Sequence, residues 1–143
     1  MAGARVRIDP HVHSRASHDG HEPVELLLAH ASEIGLDGVV VTDHDEIDAS
    51  LEAAGLAPGV ALVGIPGVEV STAAGHLLAI GVDECPEPGR PLSETVDSVG
   101  AMGGAAVVPH PFQRSRHGVR KRHLRGVDPD AIEVYNSMLF TGY

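Results

Sequence analysis

The chain has 143 residues, of which 43% are hydrophobic, with 17 glycines and 10 prolines; that is the composition of one globular α/β domain and excludes a disordered or fibrous chain. A formal net charge of -10 argues against a general nucleic-acid-binding surface, because phosphate backbones are held by dense lysine and arginine. No apolar run approaches membrane-spanning length, Met1 to Arg7 lack the apolar core of a signal peptide, and the single cysteine, Cys85, excludes an intrachain disulfide, so a cytoplasmic, reducing location is the expectation.

Aromatic residues make up only 3%, which leaves Val, Leu, Ile and Ala to build the core. All basic residues but Lys121 are arginines, a bias that fits either a high-salt cytoplasm or a GC-rich gene. In chain order, Val6 to Asp9 reads as a first strand and residues 14 to 22 as a loop of turn-forming residues. Pro23 suits the first turn of a helix whose buried stripe is Val24, Leu27, Leu28, Ala31 and Ile34, closed by Gly35. Gly38 to Thr42 is a β-branched run typical of a parallel strand buried on both faces. A second helix spans about Ile47 to Ala54 and ends at Gly55. Val60 to Ile65 and Val68 to Ser71 read as one strand interrupted at Pro66-Gly67, and Leu77 to Val82 as another, with Ala73 to Gly75 as a tight link. Ser93 looks like an N-cap for a helix to about Met102. Ala105 to Val108 is a strand, Arg114 to Arg125 a basic segment helical in part, and Ala131 to Tyr135 the last strand. The alternation of strand and helix implies a parallel sheet or barrel in a single domain, residues 1–143, joined by right-handed crossovers.

The polar residues are placed repetitively. His11 and His13 stand two apart where an apolar run ends, so on a strand they share a face and can share an ion. Asp19, the Asp43-His44-Asp45 cluster, Glu69, His76 and His110 each stand at or just past the C-terminal end of another short apolar run, and the carboxyl ends of parallel strands are where barrel and open-sheet enzymes build their sites. Glu69 lies in Gly-Val-Glu-Val, an apolar setting costly for an unpaired carboxylate.

The motifs His-Val-His-Ser (11–14), His-Asp-Gly (18–20), Val-Thr-Asp-His-Asp (41–45), Gly-Val-Glu-Val-Ser (67–71), Gly-His-Leu-Leu (75–78), Pro-His-Pro-Phe (109–112) and Ile-Glu-Val-Tyr-Asn (132–136) resemble, in order, those of the PHP family, the polymerase and histidinol phosphatase superfamily. The resemblance implies a distorted (β/α)7, TIM-like barrel holding two or three divalent ions, Mn, Zn or Fe, that hydrolyse phosphoesters. It implies that His11 and His13 hold one ion with Glu69, that Glu69 bridges to a second ion held by His76 and His110, and that Asp19 and His44 bind a third. Asp43 and Asp45 are expected to orient the loop or the ligand histidines. The family pattern closes with a late Asp-x-His, which does not occur after residue 110. A complete β/α barrel needs ~200 residues or more, so a barrel incomplete at its C-terminus, with an exposed edge open to pairing, is the expectation.

Arg114, Arg116, Arg120, Lys121 and Arg122 follow His110 in an otherwise acidic chain. Arg114 and Arg116, with His117, are the candidates to clamp a substrate phosphate; the rest read as a solvated charged segment. Asn136 is a candidate pocket residue, and His18, His21, His30 and His123 read as surface or loop histidines, His18 beside Asp19. The expected partner is a small phosphorylated substrate, with no membrane and long nucleic acid disfavoured; no motif fixes an oligomeric state. The alternatives are a metal-binding module without turnover, a nuclease acting on chain ends, and an amidohydrolase-like enzyme, for which the only lysine, Lys121, is badly placed.

Overall fold

A computed structural model describes residues 3–138. Among them, strands β1 (Ile8–Val12), β2 (Gly38–Val41) and β3 (Val63–Gly64) form a parallel three-stranded sheet. Strands β4 (Gly67–Thr72), β5 (Gly75–Ile80), β6 (Ala105–Val108) and β7 (Ala131–Ile132) form a second sheet in that order. Helices α1 (Val24–Glu33) and α2 (Asp48–Leu56) accompany the first sheet, and α3 (Leu92–Ala101) the second. The two sheets meet where the chain leaving β2 runs beside β4: Glu69 N donates to Asp43 O at 3.1 Å and Asp45 N to Glu69 O at 3.0 Å. Among the described residues the strands do not close into a barrel.

The expectation of a wholly parallel arrangement is corrected. β4 pairs antiparallel with β5, and β5 antiparallel with β6; only β6 and β7 are parallel in this sheet. The link over Ala73 and Ala74 is a hairpin turn, in which Thr72 Oγ1 donates to the carbonyl of Gly75 at 2.5 Å and accepts from Ala74 N at 3.2 Å. Gly75 has φ +135°, a backbone state that side chains resist.

Two apolar clusters form the core. Val24, Leu28, Ala31, Val39, Val41, Ala53, Ala57 and Leu62 pack α1 and α2 on the first sheet. Val68, Val70, Leu77, Ala79, Val99, Ala106, Val108 and Val119 pack α3 and the segment after β6 on the second. Each valine or leucine among them contributes on the order of 1.5–3 kcal/mol when fully buried. β2 is buried at every residue, as its β-branched run implied.

Several boundaries differ from expectation. β1 starts later and runs through Pro10 to Val12, because as an edge strand it tolerates a residue without an N–H. Ile34, placed in the α1 stripe, caps the helix and is exposed. Gly55 lies inside α2, which continues to Leu56 and into a 3-10 turn, Ala57–Val60, whose first turn accepts Pro58. Ser93 is the second residue of α3, and Pro91 stands at the N-cap. The basic segment holds two 3-10 turns, Arg114–Arg116 and Lys121–Leu124. No helix among the described residues is long and apolar enough to cross a membrane.

Candidate metal centre

Glu69 is the middle of the site. Its side chain is 1% exposed, and its two oxygens face different groups of imidazoles. On one side Oε2 lies 3.1 Å from His11 Nε2 and 2.9 Å from His13 Nε2, and those two nitrogens are 3.2 Å apart. On the other, Oε1 lies 2.9 Å from His110 Nε2 and 3.0 Å from His76 Nδ1. Donor atoms held ~2.0–2.2 Å from one ion stand ~3 Å from each other, which is the spacing of Glu69 from each of the four imidazoles and of His11 from His13.

Local structure explains the convergence. His11 stands near the end of β1 and His13 just past it, on one face by strand alternation. In the β4–β5 hairpin Ser71 pairs with His76; Glu69, two residues from Ser71, shares its face and is the diagonal neighbour of His76. His110 follows β6 between two prolines, at the unusual φ of +27°.

A third group lies beyond Oε2. His44 Nε2 is 3.1 Å from Asp19 Oδ2 and 3.7 Å from Glu69 Oε2, and its ring stacks between those of His13 and His18, with centroids 4.7 and 4.9 Å away. Asp43 and Asp45 act on the backbone as expected. Asp43, fully buried, accepts from Ser14 N at 2.7 Å and Ser14 Oγ at 2.6 Å, and Asp45 accepts from Ser71 N at 2.7 Å.

The electrostatics are those of a cation site. Burial raises the pKa of Glu69, but hydrogen bonds with His11, His110, His13 and His76 outweigh it and hold the carboxyl well below its usual range. Burial lowers that of His11, yet Glu133 and Glu69 carry it up to about 9. Burial dominates at His44, whose pKa is lowered. At Asp19 burial is outweighed by the His44 hydrogen bond and the charge of His13, which lower it.

The donor set fits divalent ions. Glu133 Oε2 stands 2.7 Å from His11 Nδ1 and Glu69 Oε2 3.1 Å from its Nε2, and a carboxylate only accepts, so without an ion both ring nitrogens carry a proton, as the raised pKa requires. A cation between Nε2 and Glu69 would take the place of the Nε2 proton and leave the one on Nδ1. His76 Nδ1 is buried and makes no hydrogen bond among the described residues although Glu69 is 3.0 Å away. Metal-ligand groupings thus arise as His11, Glu69 and His110, as His13, His44 and Glu69, and as His18, Asp19 and His44.

Beside His76 a groove of about 520 Å³ opens, lined by Arg114, His117, Arg120, Arg122 and His123 among others and by no carboxylate. Arg114 and His117 are therefore next to the ligand cluster. Arg116, in the same turn as Arg114, does not line the groove. Asn136 reaches the site only through Glu133, to which its amide donates at 2.7 Å.

One participant was half-read from the sequence and one escaped it. His18, read as a loop histidine that could assist Asp19 beside it, joins the Asp19 and His44 group. Glu133 joins His11 across 122 positions; its signal was a carboxylate at a strand end, inside a motif already noticed.

Glu69 stands inside β4 and His76 at the start of β5, not at C-terminal strand ends as expected, because the hairpin is antiparallel. A buried carboxylate ringed by imidazoles is the donor set of a divalent-cation site. Sequence similarity narrows the class: the PHP domain family model matches residues 9–103, and the chain belongs to that family. An uncharacterised protein of Methanocaldococcus jannaschii is 26% identical over 143 residues, covering 92% of this chain and 82% of that one. Among solved structures, a Bifidobacterium adolescentis protein described as a candidate metal-dependent phosphoesterase superposes with TM-score 0.74 at 18% identity, covering 92% of this chain and 78% of that one. A two-domain Bacteroides vulgatus protein, described as containing an inferred PHP-like metal-dependent phosphoesterase, gives 0.69 at 21% identity; the alignment covers 84% of this chain but 40% of that protein's length. A Chromobacterium violaceum amidohydrolase, solved with sulfate and without metal, gives 0.67 at 19% identity over 90% of this chain and 77% of that one. These likenesses show a shared fold.

Proposed function

We propose that the chain is a metal-dependent phosphoesterase that releases phosphate from a small phosphomonoester, a histidinol-phosphate-like metabolite or a nucleotide. The observation that carries this reading is the division of Glu69: His11 and His13 on one oxygen, His76 and His110 on the other. A carboxylate so flanked would be shared by two cations, one held with His11 and His13 and one with His76 and His110, and such a pair would supply the chemistry of two-metal phosphoryl hydrolases. Asp19 and His44, with His18 beside them, would hold a third. Divalent ions in such shells supply Lewis acidity, which yields a nucleophile from water near neutral pH and offsets phosphoryl charge. Mn, Fe and Zn all suit mixed imidazole and carboxylate donors.

The chain's own residues do the rest. Arg114 and His117 line one groove with His76, and there they would orient the substrate phosphate and neutralise its oxygens as charge moves to the leaving group. Arg120 and Arg122 extend the same cationic wall. The folds of the two phosphoesterase-described neighbours accord with this reading. Lys121 lies exposed in a 3-10 turn, which disfavours a lysine-dependent amidohydrolase site.

The test is phosphate release, with Mn²⁺ added, from a panel of small phosphomonoesters and a 5′-phosphorylated oligonucleotide, comparing the wild-type chain with His11→Ala. Release from small esters by the wild type, falling at least ~100-fold in the variant, is expected. Metal-loaded protein that releases phosphate from no substrate overturns the reading in favour of a binding module. Release from the oligonucleotide alone replaces the small ester with a nucleic-acid end.

A further inference from the structure

We infer that Glu133 is a positioning residue that governs both halves of the centre, through the ring of His11 and the backbone of His110. The inference rests on the reading of His11 and His110 as metal ligands and deepens it.

Glu133 immediately follows β7 and continues its parallel pairing with β6, its own N donating to Val108 O at 2.9 Å. That register sets the side chain beside the loop that begins at His110. The carboxylate is 13% exposed, and each oxygen has a separate task. Oε2 accepts from His11 Nδ1 at 2.7 Å. Oε1 accepts from the backbone N of His110 at 3.0 Å and from the Asn136 amide at 2.7 Å.

The consequences are distinct for the two histidines. On His11, the bond fixes the tautomer and the ring orientation that aim Nε2 at the Glu69 side, and a charged acceptor on Nδ1–H makes Nε2 a stronger donor to a cation. Because it lies across the ring from Nε2, Glu133 does not compete for the ion that Nε2 would face. At His110 the task is conformational. A non-glycine residue at φ +27° is strained, and the flanking Pro109 and Pro111 carry no N–H of their own. The His110 N–H is thus the donor by which that turn is tied to the sheet. Outer carboxylates of this kind typically set ligand-ion affinity by ~10–100-fold.

The experiment is a Co²⁺ titration of the full chain, wild type against Glu133→Gln and Asn136→Ala, followed by the visible ligand-field bands and by competition with a chromogenic chelator. Glu133→Gln keeps the shape but loses the charge, and is expected to bind Co²⁺ ~10–100-fold more weakly with shifted bands. Asn136→Ala, which leaves both histidine contacts in place, is expected to stay within a few-fold of wild type. A purely structural Glu133 would leave bands and affinity of the folded variant unchanged, and that result overturns the inference while the metal reading stands. A wild type that takes up no Co²⁺ overturns both. Zinc-loaded wild-type protein gives a readout that needs no variant: long-range ¹H–¹⁵N correlation of the His11 ring is expected to show the proton on Nδ1, and a proton on Nε2 overturns the inference.

Discussion

At the scale of single residues, burial and partner choice decide what each titratable group can do. Glu69 and Asp43 are both buried acids. Asp43 spends its oxygens on Ser14 donors, which holds the loop behind His13, whereas Glu69 faces only imidazoles and is left to a cation. Cys85 shows the opposite case, a thiol the site does not use. Burial first, then the charges of Asp45 and Glu46, push its pKa up to about 11 from 9.0. Because the folded value is raised, this contribution to stability is fully present below pH 9 and is lost as pH climbs through 11. At pH 8 the thiolate fraction is ~100-fold below that of an unperturbed thiol, so iodoacetamide should alkylate Cys85 correspondingly slowly, with a rate that keeps rising past pH 10. A rate that levels off near pH 9, followed by mass spectrometry, contradicts this.

At the scale of elements, the β4–β5 hairpin holds Glu69 and His76 in diagonal register, and Gly75 is its weak point. A Cβ there would lie 2.6 Å from His117 O and 2.9 Å from Val119 N, at φ +135°. Gly75→Ala should therefore cost ~2–4 kcal/mol, read as a lower urea midpoint, and should loosen the ligand His76. An unchanged midpoint contradicts the packing described. This hairpin also marks the limit of what the sequence reveals. Glu69, His76 and His110 were legible because a charged or ionisable residue beside an apolar run stands out whichever way the strand runs. The direction was not legible, since Val68, Val70 and Leu77 to Ile80 pattern alike in either sense and the turn, Ala73-Ala74, carries no Asn-Gly signal. The ends of β1 and α2 were misplaced where Pro10 and Gly55, usual terminators, are tolerated by an edge strand and a helix running on into a 3-10 turn. Glu133 was readable only as a motif letter, because nothing local announces a partner 122 positions away.

At the scale of the whole molecule, the candidate ligands come from β1 and the loop after it, the chain after β2, the β4–β5 hairpin and the chain after β6. Ions held there would join the two sheets, which also meet through backbone bonds at His44 and Glu69 and through the Asp45–Ser71 and Glu133–His11 hydrogen bonds. Metal should therefore stabilise the fold: at free ion 100 times Kd the gain is ~2.7 kcal/mol per site, and Tm should rise with ion concentration and fall on chelation. A thermal transition indifferent to chelator contradicts that coupling. The groove with Arg114 and His117 opens beside His76 on the side of the second sheet, so a substrate held there would meet ions to which both sheets contribute donors. The account depends most on Glu69 as the group shared between ions. Its most direct test is metal content per chain, by inductively coupled plasma mass spectrometry after loading with Mn²⁺ or Zn²⁺ and gel filtration, for wild type and Glu69→Gln. The account predicts two or more ions per wild-type chain and loss of both ions that share Glu69 in the variant, with at most the Asp19 and His44 ion retained; a variant that keeps the wild-type stoichiometry, or a wild type that holds no ion, contradicts it.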